Sequence, residues 1–160
     1  MIPVALYPLR WPAGRDHLAP GRRRRAKFRL TFDAAYNVVI DELARVGAFN
    51  AQISSNVPLS RQRSDDVYLY LPISSAARRV EDPGAAVHFE RTVGQYGAAR
   101  GYVIACDSYT TVAANLRAIA VTLRAMREIV RHGAGEIVEQ ALDGFRALPA
   151  PALVEGEVAA

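Results

Sequence analysis

The chain has 160 residues, of which 51% are hydrophobic and 22% are charged, a composition typical of one folded domain rather than of a disordered chain. It contains no run of about 18 uncharged apolar residues, which argues against a membrane helix, and its apolar start lacks the basic region of a signal peptide. The single cysteine, Cys106, excludes an internal disulfide. We therefore expect a protein of the cytosol, without membrane contact, metal or cofactor.

Positive charge is concentrated near the N-terminus. Residues 1–31 hold eight basic side chains and one acidic side chain, a net of +7, whereas residues 32–160 hold twelve basic and fifteen acidic side chains, a net of −3. A run of four arginines occupies positions 22–25. An anionic partner is therefore expected to meet the first segment of the chain.

The first segment is rich in residues that interrupt regular structure. Four prolines and two glycines lie within residues 1–21, which disfavours a helix or a central strand. We predict an extended arm over 1–25, a single α+β domain over 26–148 and a disordered tail over 149–160.

The first helix is indicated by caps at both ends. Residues 27–30 alternate basic and apolar side chains and predict a short strand or a lead-in. The helix should begin at Thr31 or Asp33, whose short side chains accept hydrogen bonds from free N–H groups, and end at Val46 before Gly47. Four apolar residues form one stripe along it: Ala35, Val39, Leu43 and Val46.

Strands are indicated next. Alternation of apolar and polar residues predicts a strand over 51–57, closed by Pro58, and an edge strand over 67–71, closed by Pro72. Between them, 59–66 is predicted as a polar loop, and 73–82 fits no single pattern. Residues 81–84 predict a turn, since Pro83 fixes φ and Gly84 is expected at a left-handed position.

The last third of the chain predicts a hairpin and two helices. Strands over 85–90 and 100–106 are joined by 92–99, a helix spans 111–131, and another spans 136–148 with Ile137, Leu142 and Phe145 inward. The longer helix has an apolar stripe of period near 3.6: Val112, Leu116, Ile119, Leu123, Met126 and Val130. The elements together predict an α+β fold, with a small, mostly antiparallel sheet of three to five strands packed against two or three helices and an extended N-terminal arm.

The arginine run is the strongest chemical signal in the sequence. Guanidinium groups match phosphate oxygens in bidentate geometry, and Trp11 and Tyr7 in the same arm could stack on bases. The alternative is a solvated tether, or an arm that docks on the acidic body. The residues predicted to contact DNA or RNA are Arg22, Arg23, Arg24, Arg25, Lys27, Arg29 and Trp11.

Acidic residues near strand ends allow a different hypothesis, a metal-dependent nuclease. Asp107 follows one predicted strand, and His88 and Glu90 share a face of the neighbouring strand; converging carboxylates can hold Mg²⁺. The favoured interpretation is that His88 and Glu90 lie on a solvent-facing sheet surface and that Asp107 initiates the next helix. Cys106 has no histidine at a spacing that would pair with it, which favours a buried residue over a nucleophile.

Six segments spread over residues 7–149 carry a family resemblance: YPLRWPAG at 7–14, ISSNVPL at 53–59, DPGAAVHF at 82–89, YVIACD at 102–107, NLRAIA at 115–120 and GFRALP at 144–149. With the basic run, they resemble a family of bacterial, phage and prophage proteins, some of which carry a J-domain name because a J domain follows this region. The His-Pro-Asp tripeptide through which a J domain acts does not occur in this sequence. The resemblance therefore implies a mobile-element setting, but neither Hsp70 stimulation nor any catalytic residue.

Charge and resemblance favour an accessory protein of a phage or mobile element that binds nucleic acid through its basic arm. A second hypothesis is a protein–protein module, either a dimer or an inhibitor of a host complex. Such a module would expose an apolar patch on a helix or at the Tyr68/Tyr70 edge. The nuclease is the third hypothesis. The residues favour a binding protein over an enzyme.

Overall fold

The computed structural model describes residues 2–94, 97–132, 139–140 and 142–147. In these residues, two 3-10 helices, at Pro20–Arg22 and Ser74–Arg79, accompany six strands and two α-helices. In chain order these are β1 (Val4–Leu6), α1 (Phe32–Arg45), β2 (Phe49–Ser55), β3 (Leu59–Ser64), β4 (Val67–Pro72), β5 (Ala85–Thr92), β6 (Ala99–Cys106) and α2 (Val112–Arg131).

Four of the strands form one mixed sheet in the order β1-β2-β5-β6. β1 runs parallel to β2, and the β2–β5 and β5–β6 pairs are antiparallel. The helices α1 and α2 pack against each other and against this sheet. The prediction of an α+β fold with a small, mostly antiparallel sheet is confirmed, and β2, β4, β5 and β6 lie within two residues of their predicted bounds.

The core lies between the two helices and one face of the sheet. Ile53, Val87 and Ile104 are paired across three neighbouring strands and are almost completely buried. The neighbouring pair, Gln52 and His88, points its side chains to the opposite face of the sheet, because side chains alternate along a strand. The sheet therefore has an apolar inner face and a more polar outer face.

Helix α1 begins and ends as predicted, and its cap is Thr31. The Thr31 hydroxyl oxygen accepts a hydrogen bond from the N–H of Ala34 at 3.1 Å. At the other end Gly47 has a φ of 75°, the left-handed conformation that glycine adopts without a steric penalty. The predicted apolar stripe is buried along its whole length.

Helix α2 confirms the longest predicted helix. Its residues Val112, Leu116, Ile119 and Leu123 are at most 1% exposed, so this stripe is the main helical contribution to the core. Met126 is also buried. The side chain of Val130, predicted to continue the stripe, lies outside the described part of the chain.

The prediction of a polar loop over 59–66 was wrong. Residues 59–64 form β3, which pairs with β4 in a separate two-stranded antiparallel hairpin. Asp65 and Asp66 form the turn, with φ values of 41° and 60°, as a tight two-residue hairpin turn requires. Arg61, Gln62, Arg63 and Ser64 are all exposed, so β3 lacks the alternation on which the strand prediction depended.

The prediction of a helix continuing to residue 148 was also wrong at its end. Residues 139, 140, 142 and 143 are helical and Leu142 is buried, but the chain then runs beside β6. The N–H of Val103 donates to the Phe145 carbonyl at 2.8 Å, and the N–H of Ala147 donates to the Gly101 carbonyl at 3.0 Å. The unpaired backbone of an edge strand outweighs helix propensity here. The predicted inward residue Ile137 and the predicted tail over 149–160 lie outside the described residues.

Gly84 lies at a close contact and does not have the left-handed conformation expected from the sequence. Its φ is not positive; instead, a Cβ atom at this position would stand 2.8 Å from Cδ2 of Leu9. Gly84 therefore lets the N-terminal segment approach the start of β5 closely. Within the described ranges, no helix combines the length and apolar character needed to cross a bilayer.

Candidate nucleic-acid interface

The segment before the arginine run is attached to the body by side chains that accept hydrogen bonds from its backbone. The N–H of Leu9 donates to Oδ1 of Asn56 at 3.0 Å, and the N–H of Arg10 donates to Oγ of Ser54 at 3.0 Å. Further along, the N–H of Leu18 donates to Oδ2 of Asp107 at 2.7 Å. With β1 paired to β2, these contacts fix where the basic run begins.

The basic run is itself attached through its backbone. The N–H of Arg24 donates to the Ser108 carbonyl at 2.8 Å, and the N–H of Thr110 donates to the Arg24 carbonyl at 3.0 Å. Arg24 thus forms a parallel bridge with Tyr109, in the loop that leads into α2. Main-chain hydrogen bonds therefore hold the run at Arg24 without using the Arg24 side chain.

That loop is held by the buried amide of Asn115. Its Oδ1 accepts from the Tyr109 N–H at 3.0 Å and from Sγ of Cys106 at 3.3 Å, while its Nδ2 donates to the carbonyls of Pro83 and Tyr109 at 2.8 and 3.1 Å. Cys106, expected to be buried, is half-buried and serves as one of these donors. The surface that receives Arg24 is therefore fixed by several hydrogen bonds.

The four arginines divide into one that faces inward and three that face outward. The side chain of Arg23 is 8% exposed, and its Nη2 lies 3.5 Å from Oδ1 of Asp82. Arg22, Arg24 and Arg25 are exposed. Within the described ranges these three form no ion pair with a carboxylate. Three of the four guanidinium groups therefore project into solvent.

The exposed charge continues beyond the run and onto α2. Lys27 and Arg29 are exposed. Between them Phe28 meets the ring of Tyr109 edge-on, with centroids 6.3 Å apart, and the guanidinium carbon of Arg117 lies 3.8 Å from the Phe28 centroid. We call the resulting set the basic surface: Arg22, Arg24, Arg25, Lys27, Arg29 and Arg117.

Arg117 was missed by the sequence interpretation. Its exposure could have been inferred, because it lies off the apolar stripe of α2. The contact between Arg117 and the basic run could not have been inferred, because Phe28 and Arg117 are distant in sequence and meet only through tertiary packing.

Trp11, predicted to stack on bases, has partners within the protein. Its ring stacks on that of His17 with centroids 4.3 Å apart and an angle of 24° between the planes. Its Nε1–H donates to the Arg15 carbonyl at 2.9 Å. These contacts order the segment before the basic run, and Trp11 is not part of the basic surface.

The acidic residues of the nuclease hypothesis are not brought together. Asp107 is 6% exposed, accepts from the Leu18 N–H, and lies 3.5 Å from Nδ1 of His17. Glu90 pairs with Gly101, at the opposite end of the β5–β6 ladder from Cys106. Gly101 and Asp107 are six residues apart, so at about 3.4 Å per residue the backbone positions of the two acidic residues are separated by roughly 20 Å, too far for one ion.

His88 lies on the outer face of the sheet, between these ends. With Glu90 it lines an open cleft of about 1040 Å³, and the Glu90 carboxylate accepts a hydrogen bond from Asn50. Burial, and secondly the charge of Arg10, lowers the pKa of His88. Among the residues that the structure describes, no three histidine, cysteine or carboxylate side chains are grouped so that they could hold a metal ion.

Comparison with known proteins gives no relative on which to base a function, since no protein-family model, no curated protein and no solved structure matches the chain.

Proposed function

We propose that the protein binds nucleic acid through the basic surface. The supporting observation is that Arg22, Arg24 and Arg25 are exposed and free of carboxylate partners within the described ranges, although acidic residues are plentiful on the body. Guanidinium groups offer forked donors to phosphate oxygens. Because the backbone of Arg24 is anchored on both sides, part of the ordering cost of binding is already met by the fold.

The contacts expected from this surface are to the phosphate backbone and not to base edges. Phosphate contacts supply affinity and strong salt dependence with little sequence preference. The mobile-element setting implied by the resemblance stays a prediction, and an accessory protein of replication, recombination or defence would suit such binding.

The test compares two triple variants of the full chain. Fluorescence anisotropy would measure binding of labelled DNA and RNA oligonucleotides to wild type, to R22A/R24A/R25A and to the control R45A/R61A/R63A, which removes three exposed cations elsewhere. Each lost phosphate contact lowers the log–log salt slope by about 0.9. Between 50 and 200 mM salt, both proteins should lose affinity, and the factor by which wild type loses it should be about 40 times the factor for the first variant.

The control variant should retain the wild-type salt slope. Binding that is absent, insensitive to salt, or equal in all three proteins would contradict the proposal. Circular dichroism would first confirm that each variant is folded.

A second candidate function, self-association, is favoured by the β3–β4 hairpin. Four consecutive apolar residues of β4 are largely exposed: Val67 at 59%, Tyr68 at 54%, Leu69 at 37% and Tyr70 at 41%. β3 carries Arg61 and Arg63, charges that discourage strand addition, whereas β4 carries none. Antiparallel pairing of β4 with β4 of a second copy would join two identical, uncharged strands.

Sedimentation over a wide range of protein concentration tests this candidate. L69K should shift the equilibrium toward monomer, because a charge would enter the shared strand pair. The matched control is Q62K, since Gln62 lies opposite Leu69 in the hairpin but on the other strand. A wild-type protein that stays monomeric throughout, or equal effects of the two variants, would exclude β4 pairing.

A further inference from the structure

Helix α2 carries a row of arginines that the sequence interpretation did not identify. Arg117, Arg124 and Arg131 are all exposed and are spaced seven residues apart. At about 100° per residue, seven residues return to within roughly 20° of the same direction, and each step advances about 10.5 Å. The three side chains therefore form one line of about 21 Å along the helix.

The row is positively charged overall. Within the described ranges, none of its three members forms an ion pair with a carboxylate. One acidic residue, Glu128, lies on the same face. Its carboxylate is 3.9 Å from Arg127, and three arginines against this one carboxylate leave the row with a net positive charge.

The row is continuous with the basic surface. Arg117 belongs to both, because its guanidinium lies over the ring of Phe28. Phe28 lies between Lys27 and Arg29 in the sequence. The cations thus extend from Arg24, which pairs with the loop before α2, to Arg131 at the end of the helix.

Among the described residues, the aromatic rings that contact these cations are already covered by other side chains. Single-strand binders combine cations with aromatic rings on which bases stack. Here the Phe28 ring is covered by Arg117 and met by Tyr109, and Trp11 is stacked on His17. Tyr68 and Tyr70 are exposed, but they lie on the β3–β4 hairpin, which neighbours β1 at the other edge of the sheet.

We propose that the ligand of this surface is a nucleic-acid duplex, with α2 lying along its phosphate backbone. This inference rests on the proposed function and adds the form of the ligand and the residues Arg124 and Arg131. Each strand of duplex DNA presents one phosphate per about 3.4 Å of the duplex axis, so a straight row of about 21 Å spans about six phosphates of one strand. A flexible single strand offers no such rigid line of charge.

The experiment uses R124A/R131A, which leaves the basic surface intact, and the control R61A/R63A. Binding of a 20-base-pair DNA duplex, an RNA duplex of the same length and a 20-nucleotide single strand would be measured at several salt concentrations. R124A/R131A should lower the log–log salt slope for duplex by about 1.8, for two lost contacts, and leave the slope for the single strand unchanged. Wild type should bind a duplex more tightly than the single strand, and the two duplexes show whether DNA or RNA is preferred.

Two results would overturn the inference while leaving the proposed function in place. The first is an unchanged duplex slope in R124A/R131A when R22A/R24A/R25A binds weakly. The second is tighter binding of the single strand than of either duplex. Binding that R22A/R24A/R25A does not weaken would instead overturn the proposed function.

Discussion

Adjacent arginines at positions 22–25 have different environments, and this difference sets their roles. In extended backbone, successive side chains point to opposite sides. Arg23 turns toward Asp82, whereas Arg24 is exposed. The composition of the run indicates a contact with phosphate, but it does not show which arginine pairs with a carboxylate of the protein itself.

We therefore predict opposite consequences of two neighbouring substitutions. Arg23→Ala should lower the free energy of unfolding by about 1 kcal/mol, because it removes a largely buried partner of a half-exposed carboxylate, and should leave duplex affinity unchanged. Arg22→Ala should weaken duplex binding without affecting stability. Urea denaturation measures stability and anisotropy measures binding. Weaker binding by Arg23→Ala, together with lower stability of Arg22→Ala, would show that Arg23 is the binding residue.

His88 gives a prediction about pH. Burial and the nearby Arg10 lower the pKa of His88 below its usual 6.5, so the unfolded chain binds a proton at pH values where folded His88 stays neutral. Stability should therefore fall as the pH drops below about 6.5, down to the folded-state pKa. His88→Gln should remove this part of the pH dependence, as measured by urea denaturation between about pH 5 and pH 8.

The matched control for this prediction is His132→Gln, since the His132 side chain is 78% exposed. Its pH profile should follow that of wild type. A profile for His88→Gln that also parallels wild type would show that His88 does not contribute.

At the scale of elements, the periodicity of apolar residues predicted the helices and strands that pack in the core. The stripes of α1 and α2 and the β5–β6 hairpin were predictable because each must bury one face. β3 was not predictable, because both of its faces are exposed. β1 and the strand-like residues 145–147 were missed because their main contacts are backbone hydrogen bonds to sheet edges, which leave little trace in side-chain pattern.

The turn of the β3–β4 hairpin carries a removable strain. Asp65 and Asp66 both adopt positive φ, which costs a non-glycine residue about 1 kcal/mol. D65N/D66G should relieve part of this cost. Hydrogen exchange of the β3 and β4 amides should slow by about fivefold, while exchange in α2 stays unchanged. The Arg63–Asp66 ion pair that is lost is exposed on both sides and contributes little. Faster exchange in the hairpin would contradict this account.

At the scale of the whole molecule, the excess of positive charge is gathered where the N-terminal segment meets α2. The sequence indicated the asymmetry between residues 1–31 and the rest. It could not indicate that β1 and the hydrogen bonds of Leu9, Arg10 and Leu18 attach this segment to the body. Nor could it indicate that Arg117 would join the basic run. Five of the six residues of the basic surface thus come from the sequence motif, whereas Arg117 and the position of the segment on the body come from tertiary packing.

Arginine modification by phenylglyoxal, read residue by residue by mass spectrometry, tests the central claim most directly. In the free protein, Arg22, Arg24 and Arg25 should react readily and Arg23 slowly, in line with their exposure. Saturating duplex should protect the first three and leave Arg61 on the β3–β4 hairpin reactive. Equal modification of Arg22, Arg24 and Arg25 with and without nucleic acid would contradict the account.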